Sequence, residues 1–432
     1  MSAALPGAPH LKRVGADLQL DGHSLGALAR EHGTPLYVYS KASMLDALAA
    51  YRRALVGRPH LLCYAMKANS SLAVLQTFAR AGCGFDIVSG GELQRVLAAG
   101  GDVSKVVFSG VGKSRADMQA ALTAGVMCFN VESEGELERL SEVAVSLDRP
   151  AAVSLRVNPD VDAGTHPYIS TGLKNNKFGI AHDRALAAYR RAAALPGLRV
   201  VGIDCHIGSQ IAQVAPFIDA LDRLLDLVEA VEAAGIPIEH VDIGGGLGIA
   251  YDSNEAMPDA ADLVGQVWQR LDARGHGHRT LLLEPGRSLV GNAGVLLTEV
   301  LYLKPGQGDD GDSKNFCIVD AAMNDLVRPA MYEAWMAIEP CVQRDTPALS
   351  WDIVGPVCES GDWIGRERSL ALQPGDLLAV LSAGAYGMAM ASNYNSRPRA
   401  AELLIDGQRV NVIREREKLA DLFAGERLLP AD

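Results

Sequence analysis

The chain has no unbroken apolar run long enough to cross a bilayer. It also has no block rich in lysine and arginine, and 40 basic against 52 acidic side chains leave a formal charge of -12. Neither a nucleic acid nor an anionic membrane is therefore an expected partner, because both would be repelled. None of the seven cysteines forms a C-x-x-C pair, and an odd number does not suggest a disulfide framework. A reducing cytoplasm is the expected compartment. The opening stretch MSAALPGAPHLKRV has no long apolar region of the kind a secretory leader carries. Internal repeats and long linkers are absent as well. What is present is a chain with 48% apolar and 5% aromatic residues, which reads as soluble and fully folded. At 432 residues it is too long for one ordinary core, so two domains are expected.

From about residue 60, short apolar runs alternate with helical patterns. The strand-like runs are LLCYAM (61–66), GFDIV (84–88), KVVFSG (105–110), VMCFNV (126–131), AAVSLRVN (151–158), VVGIDCHIG (200–208), IEHVDIGGG (238–246) and TLLLEPG (280–286). Between them, stretches such as GELQRVLAAG and RADMQAALTAG repeat apolar residues at three and four, and several close on glycine. Eight β-then-α units predict a (β/α)8 TIM-type barrel, with a doubly wound sheet as the alternative. After Glu284 the texture changes to short, turn-bounded, β-branched runs such as NFCIVDAA and GDLLAVLSAG. These predict a mainly antiparallel β-sandwich or barrel. The expected division is a barrel over 36–285 and a β domain from 1–35 and 286–432. The patch PGQGDDGDS (305–313) reads as a surface turn.

In a barrel, chemistry gathers where strands end. Those ends carry Lys67, Asp86, His206, Ser209, the Gly244-Gly245-Gly246 loop, and Glu284 with Gly286 and Arg287. Each has a bland alternative. Lys67 could be a snorkelling surface lysine, Asp86 a helix cap, His206 a satisfied core imidazole, the glycines a plain turn, and Glu284 an ion-pair partner of Arg287. Convergence of all of them on one rim favours chemistry. A lysine can form a Schiff base, and a glycine loop before the last strand can cradle phosphate. A carboxylate can keep a ring nitrogen protonated. Together these describe a pyridoxal 5'-phosphate site with His206 stacked on the ring, and metal ligation is not expected.

These residues lie in longer ordered motifs: YAMKAN, CGFDIVSGGEL, HPYISTGLKNNKFGI, HIGSQI, DIGGGLGI, EPGRSLV, MNDLVRPAMYEAW, GPVCESGD and GAYGMAMASNYNSRPR. From about Thr34 to Arg399 the sequence resembles the fold-type III pyridoxal-phosphate decarboxylases, the group IV amino-acid decarboxylases, in the branch that acts on diaminopimelate. The resemblance implies an alanine racemase-like fold and a symmetric homodimer with shared active sites. It implies decarboxylation of meso-2,6-diaminopimelate to L-lysine and CO2, the last step of lysine biosynthesis. It also assigns roles. Lys67 would bind the cofactor covalently, Glu284 would pair with the ring nitrogen, His206 would stack, and Asp86 would support them. Ser209, Gly245, Gly246, Gly286, Arg287 and Tyr386 would hold the phosphate. Arg287, Arg328, Tyr332 and Tyr386 would face the substrate, Glu359 would take its distal ammonium, and Cys358 would protonate the carbanion from a second subunit.

The substrate choice also follows from charge. A distal zwitterion needs both signs, which Arg328 and Glu359 supply, whereas ornithine needs only an acid. Relatives acting on ornithine, arginine or carboxynorspermidine, and a catalytically inactive regulatory paralogue, are the rivals. Taken singly, Arg328 before Pro329 could be surface charge and Cys358 a small core residue. The sequence departs from the family pattern at Ala322, where a glycine is expected before the methionine, and at the extended 305–313 turn.

Overall fold

The computed structural model describes residues 4–164, 166, 169, 171, 172, 176–306 and 314–431. These form two compact units, one of residues 46–249 and 256–289, the other of residues 4–45, 250–255 and 290–431. Most of the 305–313 turn, Thr165, and Pro167, Tyr168, Ser170, Leu173, Lys174 and Asn175 of the HPYISTGLKNNKFGI motif, lie outside the described residues.

The first unit is a closed barrel of eight parallel strands. They are β1 (His60–Ala65), β2 (Gly84–Ile87), β3 (Val106–Phe108), β4 (Cys128–Val131), β5 (Ala151–Asn158), β6 (Leu198–Asp204), β7 (His240–Asp242) and β8 (Thr280–Leu283). Each pairs with the next, and β8 returns to pair with β1, which excludes the doubly wound alternative. Seven helices connect them: α1 (Leu72–Arg80), α2 (Gly90–Ala98), α3 (Arg115–Ala124), α4 (Glu134–Leu147), α5 (His182–Ala194), α6 (Ala215–Ala233) and α7 (Ala260–Ala273).

Local sequence explains where these helices start and stop. Side chains of Ser89, Ser114, Ser133 and Asp259 each accept a first-turn backbone N–H at α2, α3, α4 and α7. Gly125 ends α3 at φ 83°, a left-handed conformation that costs glycine no Cβ clash. Strand alternation then sorts side chains. Cys63, Val107, Cys128, Val201 and Leu282 form one buried cluster inside the barrel. Tyr64 and Phe85 face outward, where Tyr64 packs against Phe78 of α1 with centroids 4.3 Å apart and the rings tilted by 31°.

In the second unit the long strand Gly294–Lys304 is the organiser. It pairs antiparallel with Phe316–Val319, Leu377–Val380 and Leu36–Ser40. Leu36–Ser40 also pairs, in parallel, with Ala401–Asp406. The segment from residue 36, expected in the barrel, therefore runs as a central strand of this sheet. All five of its residues are buried, as suits a strand covered on both faces. Leu18, Leu25, Leu36, Val38, Val295, Leu297, Leu403 and Ile405 make its core. Ala322 has no positive φ, so a side chain sits there without backbone strain. Among the described residues, no helix is long and apolar enough to cross a membrane.

The Tyr64–Phe78 contact gives a direct test of how the helices are held to the barrel. Phe78→Ala should cost about 3–5 kcal/mol through lost burial and a residual cavity, read as a lowered urea midpoint with an unchanged slope.

Candidate active site at the barrel rim

Lys67 sits in a single 3-10 turn, Met66–Ala68, directly after β1. Its Nζ donates to Asp86 Oδ2 at 2.8 Å; the Lys67 side chain is 35% exposed and that of Asp86 is fully buried. Asp86 therefore pairs with the lysine, while Ser89 caps the helix that follows. Lys67 is not a surface lysine. It is a half-buried amine with its charge balanced and its tip open to a small molecule.

The loop after β7 approaches β8 closely. Glu284 donates its backbone N–H to the Gly244 carbonyl at 2.7 Å. A Cβ on Gly245 would lie 2.0 Å from the Glu284 carbonyl oxygen, and Gly244 and Gly246 have φ of 68° and 111°. Only glycines allow this turn. Ser209 and Arg287 meet nearby, where Arg287 Nη2 donates to Ser209 Oγ at 2.9 Å, and Gly286 packs against Ala65.

His206 is half-buried, and its Nδ1 accepts the Gly245 N–H at 3.2 Å, which assigns the proton of the neutral ring to Nε2. Burial, then the charges of Lys67 and Arg156, hold its pKa well below the usual histidine value. Glu284 behaves oppositely. Burial and the neighbouring Asp242, Asp86 and Asp204 push its carboxyl well above the usual range. Asn130 Nδ2 reaches its Oε1 at 3.4 Å.

Several contributors escape a reading of strand ends alone. Asn130, Arg156, Asp204 and Asp242 face the same interior from β4 to β7, and all are buried. Arg156 pairs with Glu132 at 3.1 Å, and Lys113 pairs with Glu136 at 2.7 Å. The available signal was a polar residue near the C-terminal end of an otherwise apolar strand, at the parity that faces inward.

This donor set fits a pyridoxal phosphate. The cradle is one a Cβ would fill, and the amine is charge-balanced. Buried carboxylates with unsatisfied oxygens at Asp86, Asp204 and Asp242 surround Glu284, where a cationic N–H would be welcome.

In the second unit Arg328 is 4% exposed, so it is not surface charge. Its guanidinium lies 5.3 Å from the ring centre of Tyr332 and 5.9 Å from those of Tyr251 and Tyr386. Tyr386 has φ 54°, unusual for an aromatic residue and typical of constrained functional positions. Cys358 is exposed rather than in the core, and its N–H donates to Asn395 Oδ1 at 3.3 Å. Glu359 accepts a short hydrogen bond from the Tyr394 hydroxyl.

Comparison with known proteins agrees with this picture. Residues 41–291 match the family described as pyridoxal-dependent decarboxylase, pyridoxal binding domain. The diaminopimelate decarboxylase of Pseudomonas aeruginosa is 58% identical, over 96% of this chain and 98% of that protein. The crystal structure of the Helicobacter pylori diaminopimelate decarboxylase complexed with L-lysine is 42% identical, with a TM-score of 0.87, covering 92% of this chain and 98% of that one. The M. jannaschii enzyme in co-complex with L-lysine superimposes with a TM-score of 0.93 at 38% identity, over 99% of each chain.

The His206 assignment has a spectroscopic consequence. With its folded pKa depressed, the neutral ring favours the native state above the unfolded value of about 6.5, and that contribution is lost as pH falls below it. The His206 imidazole resonances should stay fixed from pH 8 to pH 6, and an ordinary titration midpoint in that window would contradict the assignment.

Proposed function

The chain belongs to the pyridoxal-dependent decarboxylases, and within them to the diaminopimelate decarboxylases, and we propose on that footing that it converts meso-2,6-diaminopimelate to L-lysine and CO2. The observation that carries the proposal is the single rim on which Lys67, Asp86, His206, the 244–246 glycine loop and Glu284 meet. When bound, pyridoxal phosphate supplies a conjugated ring that accepts the electron pair released as the carboxylate departs.

The rest is work for the chain's own side chains. Lys67 would hold the cofactor aldehyde and yield it to the substrate amine, with Asp86 keeping the lysine ammonium oriented until it is needed. Glu284 would hold a proton at the ring nitrogen. Neutral His206 would cover one ring face without adding a charge that opposes that proton. Ser209, Gly245, Gly246, Gly286, Arg287 and Tyr386 would seat the phosphate. Arg328 supports the choice of substrate, because a buried guanidinium framed by tyrosines suits a carboxylate in a geometry that an ornithine side chain has no use for. Arg287 and Tyr332 would share the substrate, and Glu359 would take its distal ammonium. Cys358 would return a proton to the α-carbon, since a thiol's pKa lies close enough to neutrality for efficient transfer.

The proposal includes a cytoplasmic homodimer in which Cys358 and Glu359 serve the partner's site. All seven thiols are free, which suits a reducing compartment, and the exposed Cys358–Glu359 segment is open to a second copy.

CO2 release measured on meso-diaminopimelate, ornithine, arginine and carboxynorspermidine with added cofactor should favour diaminopimelate by orders of magnitude. Preference for any of the others would overturn the substrate assignment. Lys67→Ala should lose both turnover and the visible absorbance of lysine-bound cofactor, and retained turnover would refute its role. Mixing Lys67→Ala with Cys358→Ala chains should restore part of the activity through hybrids, and no recovery would remove the shared site.

A further inference from the structure

Three carboxylates converge inside the barrel. Asp204 ends β6, Asp242 ends β7 and Glu284 follows β8, and one oxygen from each lies within 4.8 Å of the others. All three are at least 96% buried. Three negative charges so close in an apolar interior repel strongly, so the cluster is stable only with protons between its oxygens. Asp204 Oδ1 and Asp242 Oδ2, which have no hydrogen-bond partner among the described residues, are where such protons belong. The other Asp242 oxygen, Oδ1, accepts the Gly244 N–H at 2.8 Å. Gly244 in turn accepts the Glu284 N–H at 2.7 Å. Asp242, Gly244 and Glu284 thus close a small ring of contacts linking the glycine loop to the rim carboxylate.

We propose that Asp242 is a positioning residue that sets both ends of the cofactor seat, fixing the glycine loop with one oxygen and Glu284 with the other through a shared proton. The assignment rests on the cofactor reading above. Asp242 does not touch substrate; it acts through Gly244 and Glu284. The groups that face it are Asp204, Glu284, Asp86, Arg156 and the thiols of Cys63, Cys128 and Cys205, from β1, β2, β4, β5, β6 and the turns directly after β6 and β8. Burial is the largest influence on its carboxyl and the charge of Asp86 adds to it. The Gly244 N–H, the Glu284 contact and Arg156 oppose, and the balance leaves its pKa at about 7. A protonated Asp242 is a neutral acid able to donate to Glu284.

The test is cofactor affinity, read by titrating pyridoxal phosphate into cofactor-stripped, full-length enzyme at pH 6.5 and following visible absorbance. Asp242→Asn stays neutral, accepts the Gly244 N–H and donates to Glu284. It should bind within about threefold of the wild type, whereas Asp242→Ala should bind roughly tenfold more weakly or worse. An alanine variant that binds like the wild type, or an asparagine variant as weak as alanine, overturns the proposal. If the alanine variant does not fold, the asparagine variant decides alone: affinity within about threefold of the wild type supports the proposal and a tenfold loss overturns it. A wild type that fails to bind pyridoxal phosphate overturns the functional reading, and this assignment with it. A wild type that binds beside an unaffected alanine variant overturns this assignment alone.

Discussion

Buried negative charge at the C-terminal end of the barrel is the constraint on which the rest of the site depends. Asp86, Asp204, Asp242 and Glu284 are all withdrawn from water, and an isolated buried carboxylate is untenable in a medium of low polarity. The structure meets this in two ways. Lys67 gives Asp86 a cation, and Arg156, salt-bridged to Glu132, adds its field to Asp204 and Glu284. For the remaining carboxylates the pKa values rise, and protons replace cations. A site with this balance has an affinity for any small molecule that presents a cationic N–H beside Glu284. Closure of the barrel makes the arrangement possible, because only a complete ring of strands brings the ends of β2, β6, β7 and β8 together.

A second set of charges keeps that end rigid. Lys113 is fully buried, and its ammonium donates to the Gly110 and Asn130 carbonyls as well as to Glu136. Glu132 accepts from the Gly110 and Gly179 amides and from Arg156. These bonds join the ends of β3, β4 and β5, the side of the barrel away from the glycine loop. Removing one partner of such a pair leaves a bare charge in the interior, typically a loss of about 3–5 kcal/mol. The rim is thus held in place before any ligand arrives, which is what a site that must align a scissile bond requires.

Much of this was legible in the sequence because it sits where strands stop. The eight apolar runs are the eight barrel strands, displaced by only a few residues, since each is short and bounded by turn residues. Lys67 stood out directly beyond its apolar run, and His206 and Glu284 near the ends of theirs. Asp204, Asp242, Asn130 and Arg156 did not, because each lies within its run, where polarity reads as noise until sheet parity and closure show which way it faces. Leu36–Ser40 was misplaced for a related reason. A fully buried strand carries no alternation, so its pattern does not say which sheet it joins. The burial of Arg328 was hidden too. Tyr251, Tyr332 and Tyr386 are remote from one another in sequence, and only folding gathers them around one guanidinium.

The glycine loop shows how these parts depend on one another. The Gly244 amide is committed to Asp242 and the Gly245 amide to His206. In the proposed site those two residues would therefore contribute to anion binding chiefly by position, bringing the backbone close where any Cβ would collide, while side chains such as Ser209 and Arg287 would supply direct contacts. The same two bonds tie the loop to His206 and, through Asp242, to Glu284, the groups proposed to flank a bound ring. His206 must stay neutral to accept from Gly245, and the Asp242 carboxyl must stay beside Glu284 to accept from Gly244. A shift of the loop would therefore disturb the imidazole and the rim carboxylate together. The glycine loop and the two side chains that hold it are in this sense one mechanical unit.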